Sequence, residues 1–227
     1  MKRFTVVVST VAAVAAMSTA GARADTNVAL GATVSVTATD PDPSAGFNNG
    51  TSANLQKITN GTILADATGY GSSAATGQAI EWNGNQYVFQ ISLNGTFTIN
   101  SVLVDADDND AYTLQWHDIA ANQWDALYIA PIVSQGFGLR TRPNTSNQSQ
   151  TFSLSTPVTT DAVRISGGQS NDNFTYDGVG GQGGYAVAQV ELFGTKAPTA
   201  APEPSSMAVL GAGLAGLIGL RRRRLGS

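Results

Sequence analysis

Regular alternation of apolar and polar residues along residues 86–93 is the feature that most constrains the fold of this chain. In an extended strand, successive side chains point to opposite faces, so this alternation predicts a half-buried β-strand. The residues predicted to face the core are Tyr87, Phe89, Ile91 and Leu93, whereas Val88, Gln90 and Ser92 face the other way. Asn94-Gly95 follows at once as a typical two-residue hairpin turn, and residues 96–104 are predicted to return as the next strand.

Further segments carry the same strand signals, so the body of the chain is predicted to be all-β. They are residues 27–39, 111–118, 122–129, 151–154, 162–166 and 185–193. Turn-forming Gly, Asn, Ser and Thr are plentiful between them, and no segment of the body has a convincing helical pattern. Within residues 111–118 the inward positions are Tyr112, Leu114 and Trp116, and the outward positions are Thr113, Gln115 and His117. About eight strands separated by turns predict an antiparallel sandwich or barrel.

Four segments between these strands are predicted to be loops because they are rich in turn-forming residues. They are residues 40–54, 55–77, 131–150 and 167–184. The second includes an Asn60-Gly61 turn, and the third contains Arg140 and Arg142.

The first 24 residues have the organisation of a secretory signal peptide. A basic start, Met1-Lys2-Arg3, precedes an apolar stretch at residues 4–16, and Ala22-Arg23-Ala24 has the small-x-small form of a signal-peptidase site. Cleavage after Ala24 would leave Asp25 at the mature N-terminus. A retained N-terminal anchor is the alternative, which the short apolar stretch and the cleavable motif disfavour.

The C-terminal end carries an uncharged stretch of 14 residues, 207–220, followed by Arg221, Arg222, Arg223 and Arg224. A helix of that length rises about 21 Å, which is short of the ~20 residues that cross a bilayer comfortably, although local thinning makes up part of the difference. The positive-inside rule then places the arginines in the cytoplasm and everything before them outside. A small amphipathic or core helix is the alternative, which the absence of a polar face disfavours.

Pro202-Glu203-Pro204 stands just before this stretch, and the order of Pro-Glu-Pro, apolar stretch and arginine cluster resembles the PEP-CTERM sorting tag of Gram-negative bacteria. The resemblance implies export to the cell surface or extracellular matrix. It also implies cleavage near Pro-Glu-Pro by a membrane protease of the exosortase type, so that the helix is a temporary anchor. We therefore expect a signal peptide at residues 1–24, one domain at 25–196, a linker at 197–204 and a sorting helix with its arginine cluster at 205–227.

Charge and cysteine content exclude several functional classes. The body holds 5 Lys and Arg against 15 Asp and Glu, so it lacks a basic patch for nucleic acid. Cysteine is absent from the whole chain, which rules out disulfides, thiol nucleophiles and Cys/His zinc sites. His117 is the only histidine, and no Gly-x-Ser-x-Gly motif accompanies it. We predict that the protein is not an enzyme; a glycan-active hydrolase with two catalytic carboxyl groups is the weaker alternative.

The body also resembles a known fold family. The segments EWNGNQYVFQISLNGTFTINSVLV, AYTLQWHDIAANQW and YAVAQVELFG, in that order, are similar to the galactose-binding-like jelly roll of discoidin-type domains and related carbohydrate-binding modules. The resemblance implies an antiparallel jelly-roll β-sandwich. It rests on hydrophobic positions rather than on a catalytic signature, and a more general lectin or viral-capsid jelly roll would give much the same pattern.

That family often binds a structural calcium ion, and the resemblance places the corresponding positions at Asn60 and Gln189. Both are neutral amides, and calcium affinity rises with the number of carboxylate ligands. We therefore expect a weak or absent site unless Asp66 or Glu191 compensates. No cofactor is required, and calcium is the only one that the sequence suggests.

Residues 105–110, here called the acidic segment, contain four aspartates within six residues. Asp105, Asp107 and Asn109 have the spacing that begins a calcium loop, but Asp110 replaces the glycine and Trp116 stands where the closing Glu would be, so an EF-hand is rejected. Two interpretations remain. The segment is either a solvated turn of an acidic protein or a surface calcium site, with Asp105, Asp107 and Asp110 as ligands.

Sugar binding is the sharper functional hypothesis. Jelly-roll modules hold sugars with aromatic faces and a few polar side chains in end loops. The residues expected to serve in this way are Phe137, Arg140, Arg142 and Tyr176, whereas Trp82, Trp116 and Trp124 are expected to fill the core or its edges. The alternative to sugar binding for Arg140 and Arg142 is a structural role, in which both arginines pair with the acidic segment; the sequence supports the two roles equally. The sequence thus predicts an exported matrix protein with weak polysaccharide contacts, or else a structural surface protein without a specific ligand.

Overall fold

The computed structural model describes residues 25–37, 55–69, 78–83, 87–134, 138–170 and 184–198. Within these ranges the chain forms nine antiparallel strands and a short 3₁₀ helix at Gln56–Thr59. The strands are β1 (Thr26–Asn27), β2 (Thr33–Thr37), β3 (Ile80–Asn83), β4 (Val88–Asp107), β5 (Asp110–Asp118), β6 (Gln123–Ala130), β7 (Leu139–Arg142), β8 (Phe152–Ser170) and β9 (Gly184–Lys196). None of the described residues belongs to a helix able to cross a membrane, and the predicted signal peptide and sorting helix lie outside those ranges.

The two longest strands, β4 and β8, bend and take part in two layers. In the first layer, residues 88–92 of β4 lie between β2 and residues 162–166 of β8, and β5 and β6 follow. In the second layer, β9 has β1 and β3 on one side and residues 97–106 of β4 on the other, and the same part of β4 also pairs with β7 and the start of β8. The predicted all-β, antiparallel jelly-roll sandwich is confirmed.

The hairpin predicted at Asn94-Gly95 is wrong, because β4 continues through these residues. The pairing of β4 with β8 shifts register between Ser92 and Phe97, where the strand passes from the first layer to the second. Gly95 has φ +123°, a conformation that glycine adopts without the steric cost of a Cβ atom. The dipeptide therefore marks a bend within one strand.

Two further sequence predictions need correction. The predicted loop at residues 131–150 contains β7, which pairs with the end of β4 so that Val104 faces Arg142 and Asp107 faces Leu139. The strand predicted at residues 27–39 is interrupted by a turn at residues 28–31 that separates β1 from β2. The first error arises because β7 carries polar residues that resemble loop composition, and the second because the turn contains the apolar residues Val28, Ala29 and Leu30, which resemble a strand.

Side chains from the two layers meet in one core. Trp82 of β3 packs against Phe89 of β4 with ring centroids 4.7 Å apart, and it stacks on Tyr185 of β9 at 5.5 Å. Tyr112 of β5 reaches across the sandwich, where its hydroxyl donates a hydrogen bond to the carbonyl of Ala186 at 2.9 Å. The predicted inward alternation is confirmed, because Tyr87, Phe89, Ile91 and Leu93 are all buried.

The two ends of the described chain lie side by side. Thr26 of β1 faces Gly194 of β9, and the backbone N–H of Ala197 donates a hydrogen bond to the carbonyl of Thr96 at 3.0 Å. We call this the proximal end, since residues 199–227 follow from it. The acidic segment lies toward the other end of β9, where Asp105 pairs with Gln189. At this distal end, Val187 of β9, the partner of Ala106, lies seven residues before Gly194 at the proximal end, which corresponds to about 23 Å.

Candidate functional site

The acidic segment at the distal end is buried, so the prediction of a solvated turn or a surface calcium site is wrong about its exposure. Asp105, Asp107 and Asp110 are fully buried, and Asp108 exposes only 2% of its surface. Backbone contacts from two neighbouring stretches cover the segment: the N–H of Val133 donates to the carbonyl of Asp108 at 2.9 Å, and Asp108 N–H donates to the carbonyl of Gly138 at 2.8 Å. Buried carboxylates of this kind need compensation from nearby donors or cations.

Arg142 of β7 supplies that compensation from within. Its side chain is fully buried, and its Nη1 donates to the carbonyls of Ala106 and Arg140, each at 2.6 Å. Its Nη2 donates to the carbonyls of Asp107 and Asp110, the latter at 3.2 Å. Arg142 therefore holds the acidic segment together and is not accessible to a ligand, which corrects its assignment as a sugar contact. The structural alternative predicted for Arg142 is the one observed.

Burial also changes the acid–base properties of this end. The pKa of Asp105 rises to about 7, because burial disfavours the charged carboxylate more strongly than the Leu64 backbone N–H and the Arg142 guanidinium favour it. The Leu64 N–H donates to Asp105 Oδ2 at 2.9 Å. Burial likewise lowers the pKa of Arg142, although the carboxylates of Asp105 and Asp107 oppose this effect. Near neutral pH, Asp105 at the distal end is therefore protonated in part of the molecules and ionised in the rest.

Arg140 is the accessible cation of this end. Its Nε lies 2.8 Å from Asp108 Oδ2, and its side chain is 31% exposed while that of Asp108 is 3% exposed. The buried carboxylate therefore fixes an arginine whose outer part reaches the surface. Phe137 and Tyr176, the aromatic residues predicted to accompany it, lie outside the described residues. Pairing of Arg140 with the acidic segment was the structural alternative predicted from the sequence, but Asp108 was not singled out as the partner, because the pairing of β7 with β4 is what brings the two residues together.

The positions that the family resemblance assigned to calcium are joined by direct hydrogen bonds. Gln189 is fully buried, and its Oε1 accepts a hydrogen bond from the Gly61 N–H at 3.2 Å. Asn60 Oδ1 accepts from the Thr62 N–H at 2.7 Å, and its Nδ2 donates to Gln78 Oε1 at 2.8 Å. The amide of Gln189 thus links the Asn60-Gly61 turn directly to β9.

The two carboxylates expected to compensate are separately engaged. Asp66 Oδ1 accepts from the Thr141 N–H at 3.3 Å, whereas Glu191 Oε1 accepts from Asn27 Nδ2 at 3.2 Å. Burial raises the pKa of Glu191. Across the described ranges, no three Asp, Glu or His side chains converge in a metal-binding arrangement. The two carboxylates therefore do not join Asn60 and Gln189 in a shared set of ligands.

Comparison with known proteins identifies the C-terminal segment. Residues 200–224 match the family described as PEP-CTERM protein-sorting motif, which confirms the motif seen at Pro202-Glu203-Pro204 and the following residues. The motif indicates an exported, surface-associated protein. No curated protein matches the sequence significantly.

Solved structures with a similar fold include sugar-binding proteins. A fucolectin from striped bass (Morone saxatilis) serum is 14% identical with a TM-score of 0.47, covering 78% of this chain and 51% of that chain, so this chain spans about half the length of that lectin. The lectin domain of Lectinolysin, complexed with Lewis B antigen, is 15% identical with a TM-score of 0.45, covering 76% and 98%. The family 32 carbohydrate-binding module from Streptococcus pneumoniae EndoD is 18% identical with a TM-score of 0.42, covering 74% and 98%. Likeness of this degree does not identify a ligand.

Proposed function

We propose that this protein is exported, held transiently in the inner membrane by its C-terminal helix and released to the cell surface or extracellular matrix. The observation that carries this proposal is the sorting motif at residues 200–224. Signal peptidase would act after Ala24, and an exosortase-type protease would act near Pro202-Glu203-Pro204. The proximal end of the sandwich supports this order of events, because both processing sites are only a few residues from β1 and β9.

In the matrix, the sandwich makes weak contacts with polysaccharide through its distal end. Arg140 supports this part of the proposal, because its guanidinium is partly exposed and oriented by the buried Asp108 carboxylate. Among the described residues, none accepts a hydrogen bond from the outer Nη atoms of Arg140, so these are free to donate to sugar hydroxyls. Fixing the arginine before the ligand arrives reduces the ordering cost of binding. The distal end also lies away from the segment that leads to the membrane.

A purely structural surface role is the second candidate. It is favoured by one specific observation: Arg142 is buried and Arg140 is paired, so both arginines already serve the acidic segment. In this interpretation the sandwich is a stable structural domain of the matrix that binds no specific ligand. A catalytic role is not part of either proposal.

The two candidates differ in one measurement. The full chain in mild detergent is tested on an array of polysaccharides, with and without a chelator, beside the Arg140→Ala and Arg140→Lys variants. Polysaccharide contact predicts a signal that falls about tenfold in Arg140→Ala and is partly retained in Arg140→Lys, since lysine keeps the charge but not the planar fork. Lys196→Met, which removes an exposed cation at the proximal end, is the matched control and should bind as the native chain does.

If the native chain binds none of the polysaccharides on the array, the structural candidate is favoured. Because removal of Arg140 leaves the buried Asp108 carboxylate without its cation, thermal melting of each variant must accompany the array. A loss of signal counts only where the variant remains folded at the assay temperature.

A further inference from the structure

A second group of polar and aromatic side chains lies on the outer face of the first layer, farther along β5 than Asp110, the last residue of the acidic segment. His117 of β5 faces Trp124 of β6 across the strand pair, with ring centroids 5.3 Å apart. The guanidinium of Arg164 of β8 lies 4.4 Å from the Trp124 ring centroid. Gln115 and Asp161 complete the group, which we call the strand-face cluster. The sequence assigned Trp124 to the core or its edges and did not connect these residues.

Arg164 differs from Arg140 and Arg142, because among the described residues it has neither the carboxylate partner of Arg140 nor the backbone-carbonyl partners of Arg142. Its Nε donates to Gln115 Oε1 at 2.8 Å, and the described part of the chain offers no acceptor to its terminal Nη atoms. Burial lowers its pKa, and no acidic side chain counters that shift. The Gln115 amide fixes one edge of the Arg164 guanidinium, and the Trp124 indole fixes its face. The remaining N–H donors of Arg164 are therefore held in one orientation.

His117 and Asp161 supply acceptors and a further fixed ring beside it. His117 Nδ1 lies 2.7 Å from Asp161 Oδ1, and its Nε2 lies 3.3 Å from Asn122 Oδ1. The Asp161 side chain is 45% exposed, so its carboxylate can accept from a molecule in solution as well. The hydrogen bond to Asp161 is the main factor that raises the pKa of His117.

The same face continues across β8 onto β4 with further small polar groups. Gln90 pairs with Arg164 in the strand register, and its Nε2 donates to Ser92 Oγ at 3.3 Å. The face therefore combines donors and acceptors over several strands, with an aromatic ring at one side. Each sugar hydroxyl is both a donor and an acceptor, so a surface of this composition matches it closely.

We propose that the strand-face cluster is a binding site for a neutral, hydroxyl-rich polysaccharide. The inference rests on the proposed function and adds to it a ligand class and a second contact surface besides the distal end. Charge decides the class: the cation of Arg164 is accompanied by Asp161 in the cluster, and the body as a whole carries 15 acidic against 5 basic side chains. A polyanion would be repelled by the net negative charge of the body, whereas a neutral chain of hydroxyls would avoid that repulsion and meet groups of both signs in the cluster.

The test uses exopolysaccharide from the producing cells, divided by anion exchange into a neutral and an acidic fraction. Binding of the full chain in mild detergent to each immobilised fraction is compared for the native protein, Trp124→Ala, Arg164→Met and the control Lys196→Met. We expect the native chain and Lys196→Met to bind the neutral fraction alike. Both cluster variants should bind it at least about tenfold more weakly, the loss seen when a central contact residue is truncated. Trp124→Phe, which keeps an aromatic ring, serves where Trp124→Ala fails to fold, and should retain intermediate binding.

Three outcomes would overturn the inference. Unchanged binding of the folded cluster variants to the neutral fraction would exclude the strand-face cluster while leaving the proposed function intact. Binding of the native chain to the acidic fraction alone would exclude the neutral ligand class. Binding of the native chain to neither fraction would remove the proposed polysaccharide contact itself, and this inference with it.

Discussion

Replacement of Arg142 by methionine tests whether one buried arginine holds the distal end together. The guanidinium donates to the carbonyls of Ala106, Asp107, Asp110 and Arg140 and lies among buried carboxylates. Methionine fills similar space but offers neither donors nor charge. Breaking a buried charge network by removing one partner costs about 3–5 kcal/mol. For a domain of this size that corresponds to a fall in Tm of about 6–20 °C.

Urea unfolding followed by tryptophan fluorescence measures this loss, since Trp82 is buried in the core and reports on unfolding. Arg164→Met is the matched control, because it makes the same substitution at an arginine that is partly exposed on the outer face. That control should change the free energy of unfolding by less than about 1 kcal/mol. A loss below about 1 kcal/mol for Arg142→Met would refute the reasoning, since the carbonyls and carboxylates would then have other adequate partners.

The loss of stability in Arg142→Met has two causes, the missing positive charge and the missing hydrogen bonds, and its pH dependence distinguishes them. Without Arg142, the ionised carboxylates beside it, foremost Asp105, have lost their buried cation, and protonation of Asp105 relieves that penalty. The difference in stability between the native chain and Arg142→Met should therefore be smaller at pH 4 than at pH 8. An equal difference at both pH values would assign the loss to the hydrogen bonds with the carbonyls and contradict the electrostatic part.

The remaining predictions concern pH, the turn at Gly61, calcium and the sorting motif. Because the pKa of Asp105 is about 7 in the folded protein and 3.8 in the unfolded reference, the folded state binds more protons between these values, and its contribution to stability falls as pH rises through that window. Asp105→Asn should therefore be more stable than the native chain at pH 8 by about 2–4 kcal/mol and equal to it near pH 4; a variant that is less stable at pH 8 would contradict this assignment. Gln189→Ala should lower the free energy of unfolding by about 1–2 kcal/mol in urea titrations, because the Gly61 N–H loses its acceptor. A chelator should leave the thermal melting curve of the native chain unchanged, and a fall in Tm would restore the calcium hypothesis. Replacement of Pro202-Glu203-Pro204 by alanines should retain the chain in the membrane fraction, and intact mass measurement of released protein should give Asp25 as the first residue of the native product.

Much of the fold could be predicted from the sequence because strand burial leaves a local pattern. Phe89 and Ile91 are buried, as their alternation with polar residues indicated. The hairpin predicted at Asn94-Gly95 was wrong for a physical reason. A dipeptide that allows the chain to reverse in a hairpin also allows a strand to bend. In this protein it lies at a bend, where the strand register shifts between Ser92 and Phe97. Local chemistry alone does not distinguish the two, because the choice depends on which strands lie alongside.

The candidate site was less predictable because its polar groups are buried by distant parts of the chain. Asp105 and Arg142 are charged residues in segments rich in turn formers, a composition that normally indicates exposure. Their burial depends on the pairing of β7 with the end of β4, which no local pattern encodes. The strand-face cluster likewise depends on which strands are neighbours, since His117, Trp124 and Arg164 come from β5, β6 and β8.

The side-by-side arrangement of β1 and β9 has a mechanical consequence. If the C-terminal segment anchors the chain in the bilayer as proposed, any drag on the sandwich is transmitted through residues 197–204 into the end of β9. That strand is hydrogen-bonded along its length to β1, β3 and β4. Tension along its axis loads these perpendicular bonds in shear, so that many must break together rather than one after another. The proposed membrane anchor would therefore pull on the domain through β9, a strand whose hydrogen bonds are arranged to resist such a force.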